Sequence, residues 1–136
     1  MKKVKDILYK VSVQTIIGST EVDVKHITFD SRNVLKNSLF IALLGTHFDG
    51  HTFIDNAIKK GARVIICQSL PSNIIDGKVY VVVDDSRIAL SLIASNFYDN
   101  PSEKLDLIGI TGTNGKTTIS TLLHKVFNSQ DIASGL

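Results

Sequence analysis

Short apolar runs alternate with amphipathic stretches along most of the chain. Four positions at helical spacing predict a short N-terminal helix, and they are Val4, Ile7, Leu8 and Val11. A polar turn region around Gly18 follows. Alternating apolar and polar positions then predict a strand, and runs of apolar or β-branched residues predict three buried ones. The four predicted strands cover residues 22–29, 39–44, 63–67 and 79–83.

Two amphipathic helices are predicted among these strands. The first covers residues 53–58 and closes at Gly61, because glycine commonly ends a helix. The second follows N-cap candidates at residues 84–86 and stops at Asn100-Pro101. Helices that alternate with fully apolar strands predict an α/β architecture with a largely parallel sheet covered on both faces.

A second unit is predicted after Pro101. Residues 105–110 form another apolar run of strand length, and a helix follows it. The expected core face of that helix is Ile119, Leu122, Leu123, Val126 and Phe127. The remaining stretch is shorter than the ~50 residues of a small domain. We therefore expect one domain over residues 1–100 and an incomplete one over residues 101–136.

Composition narrows the class of protein. The chain has 136 residues, 43% of them hydrophobic, which suits a globular core. A net charge of +2 is spread along the chain without a basic block, so nucleic acid is not an expected partner. The single cysteine, Cys67, lies in an apolar run and is expected to be buried. No apolar stretch reaches membrane-spanning length, and we expect a cytoplasmic protein.

The strongest chemical signal lies between the predicted strand at residues 105–110 and the helix that follows. Its residues are Gly112, Thr113, Asn114, Gly115, Lys116, Thr117 and Thr118. Strand, glycine loop and helix in this order are the context of a phosphate-binding loop. Glycines let several backbone N–H groups point at one anion, and the helix N-terminus adds its dipole. Lys116 would reach the β- and γ-phosphates of a nucleotide, and the Thr117 hydroxyl would ligate Mg²⁺.

One position departs from the general phosphate-loop pattern. That pattern needs a glycine five residues before Gly115, where this chain has Ile110, and Gly109 comes one place too early. A plain turn between strand and helix is the alternative. The flanking strand and helix patterns favour the phosphate loop.

Two groups of residues resemble the Mur ligase family, the cytoplasmic enzymes that add amino acids to the peptidoglycan precursor. The loop from Ile110 to Thr118 is similar to the family's variant phosphate loop, in which the departure above is normal. The upstream group is Phe29-Asp30-Ser31-Arg32, Leu39-Phe40-Ile41-Ala42-Leu43, Gly45, Asp49-Gly50-His51, Phe53, Ala57 and Gly61-Ala62. This group is most similar to the member that adds the third amino acid. The member that adds D-alanyl-D-alanine is the runner-up.

The resemblance implies a fold and a reaction. It implies an N-terminal Rossmann-like UDP-sugar-binding domain, followed by the start of the family's central P-loop ATPase domain. In the family reaction, ATP phosphorylates the terminal carboxylate of UDP-N-acetylmuramoyl-L-alanyl-D-glutamate, and an amino acid attacks the acyl phosphate. The third amino acid would be lysine or meso-diaminopimelate. The family's C-terminal domain is absent here, so we expect no ligase activity from this chain alone.

The resemblance also implies site residues. The uridine nucleotide of the substrate would contact Phe29, Ser31, Thr46, His47 and Phe48. ATP would be held by the phosphate loop, with Lys116 as the catalytic residue that neutralises charge on the transferred phosphoryl group. Mg²⁺ would bind at Thr117 and bridge phosphate oxygens.

Simpler interpretations remain open for several of these residues. The segment from Asp30 to Arg32 can be a strand-ending turn with a local hydrogen bond. His47 and His51 have a spacing that metal sites use, but a third ligand is missing and we predict no zinc site. Arg87 is expected to be solvated or ion-paired.

Two other functions stay in competition. A nucleotide-binding module without turnover would show the same residues. A P-loop phosphotransferase or GTPase would need a magnesium-binding aspartate at a strand end after the loop. The sequence does not indicate the oligomeric state.

Overall fold

The computed structural model describes residues 1–45 and 48–136, which divide into two compact units, Met1–Glu103 and Lys104–Leu136. The strands are β1 (Lys2–Lys3), β2 (Val13–Ile17), β3 (Asp23–Val24), β4 (His26–Thr28), β5 (Ser38–Ile41), β6 (Ala62–Cys67) and β7 (Val79–Val83). The α-helices are α1 (Val4–Ile7), α2 (Ile54–Lys60), α3 (Ser86–Phe97) and α4 (Lys116–Ser129). Three 3-10 turns cover Ser31–Asn33, Gly50–Phe53 and Pro101–Lys104.

A five-stranded sheet in the order β2-β7-β6-β5-β4 forms the centre of the first unit. The four strands from β4 to β7 are parallel, and β2 joins β7 at the edge in antiparallel orientation. Strands β1 and β3 form a separate antiparallel pair. The predicted α/β architecture with a largely parallel sheet is confirmed.

The sheet is buried on both faces because side chains along each strand alternate between two cores. In β7, Val79, Val81 and Val83 face one core, whereas Tyr80 and Val82 face the other. Helices α1 and α3 cover the first face, and α2 covers the second. Cys67 is fully buried, as expected, and this burial raises the pKa of its thiol to about 11.

The two predicted central helices form where local signals place them. Gly61 ends α2 in the left-handed conformation, with φ of 112°. Asp85 caps α3, because its carboxylate accepts hydrogen bonds from the backbone N–H groups of Arg87 and Ile88.

The N-terminal part of the first unit differs from the prediction in two ways. Strand β2 lies where only a polar turn region is predicted. It is an edge strand with mostly exposed side chains, so it lacks the alternating apolar pattern of a half-buried strand. The predicted strand at residues 22–29 is split into β3 and β4, because Val24 pairs with Lys2 and His26 pairs with Ser38 in a different sheet.

The second unit contains α4 as predicted, but two other predictions for it are wrong. Residues 105–110 form no strand, because a strand needs a hydrogen-bonded neighbour and no described residue of this unit supplies one. The expected core face of α4 is not buried, and its Leu122 is 56% exposed. This unit has no second layer of described structure to cover that face. Within the described residues, no helix is long and apolar enough to cross a membrane.

Candidate functional site

The turn after β4 carries the candidate residue Ser31. Asp30 organises this turn, because its carboxylate accepts a hydrogen bond from the Arg32 backbone N–H at 2.9 Å. The Arg32 guanidinium binds the same carboxylate through Nε at 3.0 and 3.1 Å and through Nη2 at 2.8 Å. The backbone N–H of Asn33 donates to the Asp30 carbonyl and closes the 3-10 turn. The local hydrogen bonding expected of a simple turn is therefore present.

The charge of Asp30 is held by these contacts. Hydrogen bonds from the Arg32 side chain, and then from its backbone N–H, lower the pKa of the Asp30 carboxyl from 3.8 to about 2. Asp30 is therefore ionised under all ordinary conditions. The Asp30 carboxylate therefore caps the turn, and the Ser31 side chain is not needed for this hydrogen bond.

Ser31 presents an unoccupied hydroxyl group. The side chain is only partly exposed, and within residues 1–45 and 48–136 its Oγ makes no hydrogen bond. Phe29, two residues earlier, is 59% exposed. A hydrogen-bonded turn thus carries a hydroxyl two residues after an exposed aromatic ring, and a ligand with a polar base that can stack would suit these groups.

The segment after β5 carries the other candidate residues. The backbone N–H of Gly45 donates to the Phe48 carbonyl at 2.9 Å, and Leu44 pairs with Asp49 in an antiparallel bridge. Phe48 is 78% exposed. The two remaining predicted residues, Thr46 and His47, lie outside the described residues.

Gly50 lies where this segment passes close to another stretch of backbone. Its N–H donates to the Leu43 carbonyl at 2.8 Å. A Cβ at Gly50 would come within 2.6 Å of the Leu43 nitrogen and 2.7 Å of its oxygen. Only glycine fits without moving the backbone.

His51 connects the same segment to the end of β6. Its Nδ1 lies 2.6 Å from the Asp49 carboxylate, and its Nε2 accepts a hydrogen bond from the Gln68 backbone N–H at 2.9 Å. Because a backbone N–H can only donate, Nε2 is the acceptor and Nδ1 carries the proton that Asp49 accepts. The backbone N–H of His51, and then its ring, lower the pKa of the Asp49 carboxyl. His51 therefore has a structural task beside the loop.

Arg87 also contacts this segment. Its side chain is exposed, as expected of a solvated residue, and its Nη2 also donates to the Leu44 carbonyl at 3.1 Å. Arg87, Leu44, Gly45, Gln68 and Asp85 line an open cleft of about 290 Å³. The contact joins residues 43 positions apart, and a spacing pattern carries no signal for it.

The fold brings the two candidate segments to one edge of the sheet. Strands β4 and β5 are parallel neighbours, the Ser31 turn follows the carboxyl end of β4, and Gly45 and Phe48 come after the carboxyl end of β5. Parallel α/β sheets bind ligands at this edge. Phe29, Ser31 and Phe48 are therefore placed on the side of the sheet where a ligand is expected.

The glycine loop of the second unit has two residues in the left-handed region and leads directly into a helix, but the strand predicted before it is not formed. Gly112 and Gly115 have φ of 149° and 78°, values that favour glycine. The Lys116 ammonium folds over the loop and donates to the carbonyl oxygens of Gly112 and Thr113 at 2.5 and 3.5 Å. Helix α4 starts directly after Gly115, and no side chain caps it.

These residues fit a nucleotide phosphate with its metal ion. The uncapped first turn of α4 offers N–H groups, Lys116 offers a positive charge, and the exposed Thr117 supplies an oxygen ligand suited to Mg²⁺. Within the described residues, no three His, Cys, Asp or Glu side chains form a separate metal-binding group.

The sequence of the first unit matches one protein family. The model described as "Mur ligase family, catalytic domain" matches residues 23–98, which is more than half of the chain. The chain belongs to the Mur ligase family. The match includes the Ser31 turn, the Gly45–Phe48 segment, His51 and Arg87, so these residues lie within the shared domain.

Named Mur ligases match nearly the whole chain. The UDP-N-acetylmuramoyl-L-alanyl-D-glutamate–2,6-diaminopimelate ligase of Cytophaga hutchinsonii is 50% identical over 135 residues, 98% of this chain and 28% of its own length. The ligase of the same name from Bacteroides fragilis is 45% identical, over 92% of this chain and 26% of its own length. The chain thus spans little more than a quarter of the length of these relatives.

Solved Mur ligase structures share the fold. MurF from Acinetobacter baumannii matches with a TM-score of 0.66 and 26% identity, over 93% of this chain and 27% of that protein. MurF from Thermotoga maritima in complex with ADP matches with a TM-score of 0.54 and 30% identity, over 78% of this chain and 24% of that protein.

Proposed function

We propose that this chain supplies the UDP-sugar-binding domain and the phosphate loop of a ligase acting in peptidoglycan synthesis. The ligase would join an amino acid to UDP-N-acetylmuramoyl-L-alanyl-D-glutamate in the cytoplasm, forming ADP. The observation that carries the proposal is the Ser31 turn at the carboxyl edge of the sheet, where the Ser31 hydroxyl has no hydrogen-bond partner among the described residues and Phe29, two positions earlier, is exposed. The relatives named above support the choice of substrate.

Meso-diaminopimelate is the amino acid that we propose is added. The relatives that are 41–50% identical to this chain carry 2,6-diaminopimelate in their names. The similar MurF structures, one of them named for D-alanyl-D-alanine addition, are 26–30% identical. The higher identity favours the third-residue ligase over the D-alanyl-D-alanine ligase.

Binding of the UDP-sugar is assigned to the first unit. We place the uracil ring against Phe29 and the start of the segment that follows β5. Thr46, His47 and Phe48 would make further contacts. Base stacking on an aromatic ring contributes roughly 1–3 kcal/mol per base. Ser31 would add a hydrogen bond and fix the orientation of the nucleotide.

Binding of ATP is assigned to the second unit, at Gly112, Thr113, Asn114, Gly115, Lys116, Thr117 and Thr118. Backbone N–H groups of the loop and of the first turn of α4 would hold the phosphates. Lys116 would leave the carbonyl groups that it contacts and neutralise charge on the transferred phosphoryl group. Mg²⁺, held in part by the Thr117 hydroxyl, would supply further charge neutralisation.

Calorimetric titration with UDP-N-acetylmuramoyl-L-alanyl-D-glutamate tests the substrate assignment. We expect the 136-residue chain to bind, and Ser31→Ala to raise Kd about fivefold through the loss of one hydrogen bond. Ser72→Ala, at an exposed loop position, is the matched control and should leave Kd unchanged. A folded chain without affinity for the UDP-sugar would remove the proposal.

A separate titration with ATP and Mg²⁺ tests the phosphate loop. We expect a weak interaction that shifts the backbone amide signal of Gly115. Lys116→Met should abolish the shift, whereas Lys125→Met, an exposed lysine on the same helix, should retain it. Equal behaviour of the two variants would contradict the role of Lys116.

A further inference from the structure

Lys60, the last residue of α2, reaches the turn that carries Ser31. Its Nζ donates to the Ser31 carbonyl at 3.1 Å and to the Arg32 carbonyl at 3.2 Å. The two oxygens belong to consecutive peptide groups, one between Ser31 and Arg32 and the other between Arg32 and Asn33. One ammonium group therefore ties both carbonyl oxygens of the turn to a helix 28 residues away.

The helix that presents Lys60 is itself firmly placed. Ala57 and Ile58 of α2 are buried in one core with Val34, which directly follows the turn. At the end of α2, the Gly61 carbonyl accepts a hydrogen bond from the Asn37 backbone N–H at 2.9 Å. Lys60 thus reaches the turn from a helix end that is held by these contacts.

Lys60 acts on the turn through the carbonyl groups of Ser31 and Arg32. Within the turn, the Asp30 carbonyl and carboxylate accept hydrogen bonds from the backbone N–H groups of Asn33 and Arg32, so the contacts of Lys60 are additional to those that close the turn. Because the Ser31 carbonyl carbon is bonded to the Cα that carries the hydroxymethyl group, rotation about that bond changes the position of the side chain relative to the peptide group that Lys60 holds. Hydrogen bonds from a charged donor are among the stronger ones, so Lys60 limits this rotation.

Charge points to the same task. Lys60 forms no ion pair with a carboxylate in the described part of the chain, although it lies near enough to Asp30 to help lower that residue's pKa. Its hydrogen bonds all go to carbonyl oxygens of the turn. The Lys60 ammonium group therefore acts on the backbone of the turn.

We propose that Lys60 is a positioning residue for UDP-sugar binding, which holds the Ser31 turn in the orientation that the nucleotide requires. This inference rests on the proposed function. Lys60 itself would not contact the nucleotide. It would orient Ser31, which makes the contact together with Phe29.

The chain offers a matched control one residue away. Lys59 lies in the same last turn of α2, is exposed, and makes no hydrogen bond or ion pair with any residue that the structure describes. Lys59→Met and Lys60→Met remove the same charge from the same end of the helix dipole. Only Lys60→Met removes the contacts with the turn, while its side chain keeps an apolar stem.

Two readouts on the 136-residue chain test the role of Lys60. The first is the amide spectrum, in which Lys60→Met should shift Ser31 and Arg32 while leaving Val81 in the central sheet unchanged. The second is calorimetric Kd for UDP-N-acetylmuramoyl-L-alanyl-D-glutamate. We expect Lys60→Met to raise Kd about fivefold, the effect of one net hydrogen bond. Lys59→Met should leave both readouts unchanged, and Lys60→Arg should restore most of the affinity.

The outcomes separate this inference from the proposed function. Equal Kd values for Lys60→Met and Lys59→Met, with binding intact, would overturn the role of Lys60 and leave the function standing. Amide shifts that spread through the sheet to Val81 would also overturn it, because they would indicate a general structural role. A wild-type chain that binds no UDP-sugar would remove the proposed function, and the inference with it.

Discussion

At the scale of single residues, the candidate site combines local and distant contacts. The glycine-loop pattern identifies Lys116 and Thr117, whereas Ser31 is identified by the resemblance to the Mur ligase family. Lys60 and Arg87 escape such analysis, since each contacts a backbone carbonyl 28 or more positions away. A side chain that binds a carbonyl carries no pattern in the sequence, and only the fold shows its partner.

The Asp30 carboxyl allows a prediction about pH. Its folded pKa of about 2 lies below the ordinary 3.8, so the ionised form is favoured in the turn. The resulting stabilisation is present above pH 3.8 and is lost as pH falls through about 2. Carboxyl NMR titration should therefore show a midpoint near 2, and Arg32→Ala should move it towards 3.8. A midpoint that Arg32→Ala does not move would contradict this account.

At the scale of elements, sequence patterns predict those segments that find partners within the chain. The runs at residues 63–67 and 79–83 become β6 and β7, because each has a neighbour on both sides. The run at residues 105–110 is also rich in apolar residues but has no partner strand among the described residues, and most of its side chains are exposed. Strand β2 shows the reverse case, because pairing with β7 orders a segment whose exposed face hides its periodicity.

The cap of α3 provides a test at this scale. Asp85 Oδ1 accepts hydrogen bonds from Arg87 N at 2.7 Å and Ile88 N at 3.1 Å. Asp85→Ala should destabilise the first unit by about 1 kcal/mol and lower its Tm by roughly 5 °C. Asp85→Asn should retain most of the stability, because an amide oxygen also caps. Thermal unfolding followed by circular dichroism measures both, and Asp76→Ala, at an exposed loop position, is the control.

At the scale of the whole molecule, the two units divide the proposed chemistry. The first contains a core on each face of its sheet and the Ser31 turn after β4, whereas the second contains the proposed phosphate loop before a helix without buried residues. The sequence alone predicts the α/β class and both candidate sites. It does not predict the exposure of α4, because the amphipathic pattern of a helix does not state what covers its apolar face.

NMR mapping of backbone amide signals in the 136-residue chain, with and without UDP-N-acetylmuramoyl-L-alanyl-D-glutamate, is the most direct test of the claim that the UDP-sugar binds at the edge of the sheet. The account predicts changes in the amide signals of Phe29, Ser31, Phe48 and their neighbours. The amide signals of Gly115 and Lys116 should stay at their positions in the ligand-free chain. Changes confined to the phosphate loop, or none in a folded first unit, would contradict the assignment of the UDP-sugar to the edge of the sheet.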